Sequence, residues 1–186
     1  MPIQELKRRV CQAIDDNTDA IVQIAQELER TPELGFKETK TTAAVARFLR
    51  DAGYVCREGL ALTGVRTSLN PAAAGPNVAV IGELDAVVCP DSPTADPLTG
   101  AAHACGHNLQ LGAMLGAALG LKNSGIAGSL AGNVTFMAVP AEEYVEIEFR
   151  QQLRKQGKIR YLGGKQELVY RGEFDDVDLA MMIHAD

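Results

Sequence analysis

The sequence has little of what a nucleic-acid-binding or membrane protein needs. Its 186 residues carry 18 basic and 24 acidic side chains, a formal net charge of -6 at pH 7, whereas phosphate contacts need clustered Lys and Arg. The one basic cluster, residues 150–160, is interrupted by apolar residues and is expected to be a solvated helix face. The longest apolar run, residues 111–121, is too short to cross a bilayer. We therefore expect no nucleic-acid partner and no membrane association.

Cysteine and histidine are also scarce. The four cysteines are scattered along the chain, unlike a disulfide framework, and the first ten residues lack the apolar segment of a secretory signal. We therefore expect a reducing, cytoplasmic location. The sequence contains neither a Gly-x-Ser-x-Gly nucleophile elbow nor a Gly-x-x-x-x-Gly-Lys phosphate loop, which argues against both chemistries.

What the sequence does have is an ordinary globular composition, with 46% apolar and 23% charged residues, in a length that suits one domain. Apolar runs at 78–81 and 134–139 predict strands buried within a sheet, and a third apolar run at 179–183 predicts a further strand. Helical spacing of apolar residues predicts helices before and between them. The alternation favours an α/β fold of three α/β/α layers around a mostly parallel sheet. Gly112, Gly116 and Gly120 are expected to permit close helix packing rather than to bind a dinucleotide.

Polar side chains follow each of the three predicted strands. Asp85 follows the first, Glu142 and Glu143 follow the second, and His184 follows the third. Each has an ordinary alternative, namely a loop cap, a solvated first helical turn or a hydrogen-bonded core-edge histidine. Their joint placement at the carboxyl ends of strands, where α/β proteins bind ligands, favours a metal site. One Glu could bind the metal while the other handles protons, and Asp85 could orient a ligand histidine.

The segment His103-Ala104-Cys105-Gly106-His107 directly precedes a predicted helix. A thiolate and an imidazole two residues apart at such a turn can reach one metal ion, and Gly106 lets the backbone bend between them. The helix N-terminus is expected to lower the pKa of Cys105. The alternatives are a buried structural cysteine beside a hydrogen-bonded histidine, or a Cys105 nucleophile with His107 as its base.

Taken in order, five segments resemble the zinc- or manganese-dependent amidohydrolases and peptidases that include aminoacylases, carboxypeptidase G, auxin-conjugate hydrolases and aminobenzoyl-glutamate hydrolases. The segments are Pro32-Glu33-Leu34-Gly35-Phe36, Glu83-Leu84-Asp85-Ala86, His103-Ala104-Cys105-Gly106-His107-Asn108, Pro140-Ala141-Glu142-Glu143 and Met181-Met182-Ile183-His184. The Cys within the third segment is typical of one branch of the family. Within that branch, two features are most similar to the aminobenzoyl-glutamate-hydrolase-like and dipeptide-hydrolase-like members. They are Asn108 and the segment Gly163-Gly164-Lys165-Gln166-Glu167-Leu168.

The resemblance implies a phosphorylase/hydrolase-like zinc-peptidase catalytic domain and a role for each site residue. The residues that match metal ligands are Cys105, His107, Glu143 and His184. Glu142 matches the general base and Asp85 the carboxylate that orients a ligand, while His103 matches the motif only and is expected to be structural. The implied cofactor is one or two divalent ions, Zn or Mn, with Co or Ni as alternatives, and the Cys105 sulfur could bridge two of them. The implied reaction is hydrolysis of an amide bond by a metal-activated water, in an N-acyl amino acid, an aminobenzoyl-glutamate-like molecule or a dipeptide.

The resemblance also implies that residues 1–186 correspond to the N-terminal part of the family's catalytic domain. We expect the lid or dimerisation domain, and the returning part of the catalytic domain with its further His ligand, to be absent, and residues 144–162 to be an insertion. A sheet truncated in this way would expose an apolar edge and favour a homo-oligomer. The alternative to a hydrolase is a non-catalytic fragment or interaction module that keeps the fold and lacks activity.

Overall fold

A computed structural model describes residues 1–185 of the chain. The helices are α1 (Ile3–Asp15), α2 (Thr18–Glu29), α3 (Thr39–Asp51), α4 (His107–Asn123), α5 (Ile147–Lys155) and α6 (Gly164–Tyr170), with a 3-10 turn at Ala127–Ser129. The strands are β1 (Arg57–Leu60), β2 (Gly64–Ser68), β3 (Asn77–Glu83), β4 (Val87–Val88), β5 (Ala101–Ala102), β6 (Asn133–Val139) and β7 (Leu179–Met182).

Five strands form one mixed sheet in the order β1-β2-β6-β3-β7, and β4 and β5 form a separate two-stranded ribbon. The strands β6, β3 and β7 run parallel, with Val80 opposite Phe136 on one side and Met181 on the other. These are the three strands that the apolar runs predict. The strands β1 and β2 extend the sheet beyond β6 in antiparallel pairing. The predicted α/β class is therefore confirmed, and the parallel strands are the ones that carry the candidate site.

Apolar side chains pack against both faces of this sheet. On one face, Phe136 joins a large core with Leu28 of α2, Leu49 of α3 and Leu115 of α4. On the other face, a smaller cluster joins strand residues to α6 and the segment after it. Its buried members are Ala61, Ala79, Ile81, Met137, Val139 and Leu168. The three predicted layers are present, with the thicker helical layer on the side of α4.

The predicted packing role of the glycines in α4 agrees with the structure. A Cβ atom on Gly112 would lie 3.0 Å from that of Ala25, and one on Gly116 would lie 3.2 Å from Ile21. Both distances are tighter than ordinary van der Waals contact, so glycine lets α4 lie directly against α2. Gly106, just before the helix, has φ of +82°, a conformation that glycine adopts at little cost. The N-terminus of α4 thereby starts beside the carboxyl end of β3.

The expectation of a solvated basic face at residues 150–160 is wrong for its first member. Arg150 is completely buried, whereas Arg154, Lys155 and Lys158 are exposed. Burial of Arg150 is possible because its guanidinium donates hydrogen bonds to backbone carbonyls, among them Leu162 O at 2.8 Å. Residues 144–162 therefore fold back onto the turn after β6 rather than lying free in solvent.

Two further features bear on the sequence-based expectations. Within residues 1–185, none of the helices is both long enough and apolar enough to cross a bilayer. All four cysteines lie among the described residues, and each is a free thiol.

Candidate metal centre

The candidate site lies where the carboxyl ends of β3, β6 and β7 meet the N-terminus of α4. Because the three strands are adjacent and parallel, the residues that follow them converge on one edge of the sheet. Asp85 follows β3, the Glu142–Glu143 pair follows β6, and His184 follows β7. The helix α4 brings His107 to the same edge as its first residue.

Three of the predicted ligands come together as a sulfur and imidazole group. The atoms that Cys105, His107 and His184 offer to a metal all lie within 4.8 Å of one another. The Cys105 Sγ atom is 3.5 Å from His184 Nε2, and the rings of His107 and His184 are perpendicular with centroids 5.6 Å apart. One thiolate and two imidazoles form a donor set that suits zinc.

The orientation of His107 fits a metal ligand. Its Nδ1–H donates to the backbone carbonyl of Asp85 at 2.7 Å, so Nε2 is the nitrogen that faces the centre. This Nε2 atom is buried and makes no directed hydrogen bond within residues 1–185, although Glu83 Oε2 lies 3.0 Å away. Burial alone would lower the pKa of His107, but the Glu83 carboxylate and the Asp85 carbonyl raise it to about 8. The Nε2 atom of His107 is thus a buried nitrogen without a hydrogen-bond partner among the described residues, and it lies beside a thiol and carboxylates. A divalent ion bound there would satisfy it.

Glu83 is a candidate ligand that sequence reasoning missed. Its carboxylate forms a second group with His107 and Glu142, whose ligand atoms again lie within 4.8 Å of one another. Burial alone would raise the pKa of Glu83, but the neighbouring His107 and Lys165 lower it to about 2. The sequence does carry a signal for Glu83. Side chains two residues apart in a strand point to the same face, and Glu83 lies two residues before Asp85 at the end of β3.

The predicted ligand Glu143 lies near both groups without belonging to either. Its Oε1 atom is 3.9 Å from His107 Nε2. Glu142, the predicted base, belongs to the second group. The division of roles between these two carboxylates stays a prediction.

Asp85 fixes the backbone that carries both glutamates. Its two carboxylate oxygens accept hydrogen bonds from the N–H groups of Glu142 and Glu143, each at 2.9 Å. The Asp85 carboxylate is completely buried, and burial outweighs these donors and raises its pKa to about 6. His107 Nδ1 lies 2.7 Å from the backbone carbonyl oxygen of Asp85 but 3.9 Å from the nearer carboxylate oxygen of Asp85. The backbone carbonyl of Asp85, rather than its carboxylate, therefore orients His107.

The expected lowering of the pKa of Cys105 is wrong for the chain alone. Partial burial and the nearby carboxylates, Glu143 first among them, raise this pKa to about 12. Burial and the acidic side chains both oppose the effect expected of the N-terminus of α4, and a cation bound beside the sulfur would lower the pKa instead.

His103 lies outside both ligand groups. It is buried, and neither ring nitrogen has a hydrogen-bond partner within residues 1–185. Burial and the neighbouring His107 lower its pKa to about 4. Its predicted structural role stays a prediction.

Behind the site, Glu38 is a completely buried carboxyl. It accepts hydrogen bonds from Thr63 Oγ1 at 2.6 Å and from the N–H of Ala141 at 2.8 Å. Burial and the neighbouring Asp85 raise its pKa from 4.5 to about 7. Between pH 4.5 and about 7, Glu38 is protonated in the folded chain and ionised in the unfolded chain. Glu38 therefore makes the free energy of unfolding fall as the pH rises through this range.

We expect Glu38→Gln to remove this contribution, because the amide is neutral at every pH and its oxygen still accepts from Ala141. Urea unfolding should show Glu38→Gln nearly equal to wild type at pH 4 and more stable above pH 7, by up to about 3 kcal/mol. Glu148→Gln, at an exposed position in α5, is the control and should track wild type throughout. A difference between Glu38→Gln and wild type that does not change with pH would contradict the prediction.

No protein-family model matches the chain. Among curated proteins, it is 33% identical over 126 residues to an N-acetyl-L-cysteine deacetylase of Bacillus subtilis, covering 66% of this chain and 30% of that protein. It is 29% identical over 187 residues to thermostable carboxypeptidase 2 of Saccharolobus solfataricus, covering 97% of this chain and 42% of that protein.

Among solved structures, the chain is similar in fold to the YXEP protein of Bacillus subtilis, described as a dinuclear metal binding peptidase from the M20 family. The TM-score is 0.71 at 24% identity, over 90% of this chain and 43% of that one. The chain spans only 30% to 43% of the length of the first curated relatives that it matches. These comparisons confirm the resemblance that the ordered motifs indicate.

Proposed function

We propose that the chain, which is similar in sequence to deacetylases and carboxypeptidases and in fold to a peptidase of the M20 family, forms the metal-binding part of a hydrolase that cleaves amide bonds. The observation that carries this proposal is the convergence of Cys105, His107 and His184, with Glu142 beside them. The activity of the whole protein is part of the proposal, since the chain spans less than half the length of the relatives it matches.

The residues that would hold a divalent ion are Cys105, His107 and His184, joined by a carboxylate from Glu143 or Glu83. The thiol and imidazoles favour zinc, and the carboxylates favour manganese, with Co or Ni as alternatives. When bound, the ion would polarise the amide carbonyl and lower the pKa of a water molecule.

The chain's own residues supply positioning and proton transfer. Asp85 holds the backbone N–H groups of Glu142 and Glu143, so both carboxylates project from one fixed turn. The side chain of Glu142 is 36% exposed and can be reached by a substrate from solvent. In the proposed mechanism Glu142 accepts a proton from the attacking water and delivers it to the leaving nitrogen.

The proposed substrates are small molecules with one amide bond, namely N-acyl amino acids, aminobenzoyl-glutamate-like molecules or dipeptides. The deacetylase and carboxypeptidase names of the relatives support this range. We also propose a cytoplasmic location, which the free cysteines support. Self-association stays a prediction, supported by the exposed residues of β7 at one edge of the sheet.

We expect the chain loaded with Zn or Mn to hydrolyse N-acetylated amino acids or dipeptides, and Glu142→Gln to lower the rate at least about a hundredfold. Gln keeps the shape of Glu but cannot accept the proton, so the metal content should stay near that of wild type. Liquid chromatography of released amine, with metal content measured on the same samples, checks both expectations. Glu148→Gln, exposed and in α5, is the matched control.

Two results would count against the proposal. Full activity in Glu142→Gln would remove Glu142 from the role of base. A chain that binds metal and hydrolyses none of these substrates would favour a non-catalytic fragment or interaction module that keeps the fold.

A further inference from the structure

Lys165 brings a positive charge into the carboxylate side of the centre. Its Nζ atom contacts Glu83 Oε1 and lies 3.9 Å from Glu142 Oε1. These are two of the three residues in the second ligand group, the third being His107. The ammonium therefore lies against the oxygen atoms that a cation at this side of the centre would use.

The position of Lys165 is set by tight packing at the start of α6. Lys165 is the second residue of this helix, and Gly164 before it donates its N–H to Ala141 O at 3.2 Å. A Cβ atom on Gly164 would overlap the carbonyl of Pro140, so only glycine lets α6 begin this close to the loop after β6. The side chain of Lys165 is 34% exposed and extends from this anchor onto the buried Glu83.

Glu83 has few other partners for its charge. Gln110 Nε2 donates to its Oε2 atom at 3.2 Å, and His107 Nε2 lies 3.0 Å from the same oxygen. The other oxygen, Oε1, is buried and has Lys165 as its charged contact. A buried carboxylate needs a cation or good hydrogen bonds to stay ionised, and here Lys165 is the cation.

We propose that Lys165 is an internal cation that takes the place of a second metal ion on the Glu83–Glu142 side of the centre. This inference rests on the proposed function, because it assumes that the Cys105, His107 and His184 group holds the first ion. Lys165 thereby sets how many ions the chain binds, and a divalent ion enters the carboxylate group only by displacing the ammonium.

The test is titration of the metal-free chain with Mn²⁺, followed by calorimetry and by metal analysis after desalting. Manganese is the probe because carboxylate-rich sites suit it. We expect Lys165→Met to bind one more Mn²⁺ per chain than wild type, or to bind Mn²⁺ at least about tenfold more tightly. Lys165→Arg keeps the charge and should behave as wild type. Lys158→Met, at an exposed lysine, is the matched control.

The site of the gained ion can be checked by adding Glu83→Gln to Lys165→Met, which should remove the gain. Circular dichroism of each variant shows whether it is folded, and Lys165→Gln replaces Lys165→Met if the latter is not. The inference is overturned if no neutral variant gains Mn²⁺ binding, or if wild type already binds two ions. Failure of the proposed function gives a different result, namely no Zn²⁺ binding that depends on Cys105 or His107 in wild type.

Discussion

Replacing Cys105 or His107 with Ala should abolish tight binding of a divalent ion by this chain. Both belong to the group whose three ligand atoms lie within 4.8 Å of one another, and three ligands from one protein are the usual minimum for a tight site. His107 is shared with the carboxylate group, so its loss removes a ligand from both sides. Even residues that merely orient a ligand cost about 10- to 100-fold in affinity, so we expect a larger loss here.

The measurement is Zn²⁺ content and calorimetric affinity after the chain has been stripped and reloaded. Cys89→Ala is the matched control for Cys105→Ala, because it removes a free thiol from the loop before β5. It should bind Zn²⁺ as wild type does. If Cys105→Ala and His107→Ala retained wild-type Zn²⁺ affinity, the candidate metal centre would be wrong.

The same titration separates the two carboxylates that compete for the role of ligand. The sequence resemblance points to Glu143, whereas the geometry also offers Glu83, which lies closer to His107 Nε2. The larger loss of affinity, in Glu143→Gln or in Glu83→Gln, identifies the ligand.

The parts of the site that could be predicted from the sequence are those set by local order. Apolar runs mark the parallel strands, and the residues just after each run must lie at one edge of the sheet. This is why Asp85, Glu142 and His184 could be placed together before the structure was known. The Cys105–His107 spacing is local in the same way, because one turn and the start of α4 fix both residues.

The parts that could not be predicted depend on segments that fold back from a distance in the chain. Lys165 reaches Glu83 only because α6 packs on the loop after β6. The start of its own helix predicts a lowered pKa for Cys105, whereas partial burial and carboxylates from other segments raise it. The burial of Arg150 could not be read from its sequence neighbours, since Arg154 and Lys155 in the same helix are exposed.

Arg150 links residues 144–162 to the turn that carries the two glutamates. Its Nη1 atom donates to Ala141 O at 3.2 Å and to Leu162 O at 2.8 Å, and its Nη2 atom donates to Glu143 O. The guanidinium also lies 4.0 Å from the buried carboxylate of Asp85. One side chain thus holds both ends of the segment and supplies positive charge behind the site.

The motif around Gly35 makes room for this arginine. A Cβ atom on Gly35 would collide with the Arg150 guanidinium and with Ala141, so a larger residue cannot occupy that position without displacing both. The Phe36 ring lies 5.5 Å from the guanidinium carbon, within range of a cation–π contact. Ala141 has a φ of 52°, a left-handed conformation that costs of order 1 to 3 kcal/mol for a non-glycine residue. Its N–H is held by Glu38 and its carbonyl by Arg150, so the two buried side chains together stabilise the strained turn.

We therefore expect Arg150→Met to lower the free energy of unfolding by about 3 to 5 kcal/mol. Met keeps the apolar stem but removes the Arg150 donor from the carbonyls of Ala141, Glu143 and Leu162, and it leaves Asp85 without its nearby cation. Urea unfolding followed by circular dichroism measures the change. Arg154→Met, exposed on the same helix, is the matched control and should stay within about 0.5 kcal/mol of wild type.

Arg150→Lys distinguishes loss of charge from loss of geometry. Lysine retains a positive charge but cannot donate in three fixed directions, so it should recover only part of the lost stability. Because the Glu142–Glu143 turn is one of the groups released, the folded Arg150→Lys variant should also bind Zn²⁺ more weakly than wild type. Wild-type stability and affinity in Arg150→Met would mean that the turn is held by Asp85 and Glu38 alone, with Arg150 buried beside it to no effect.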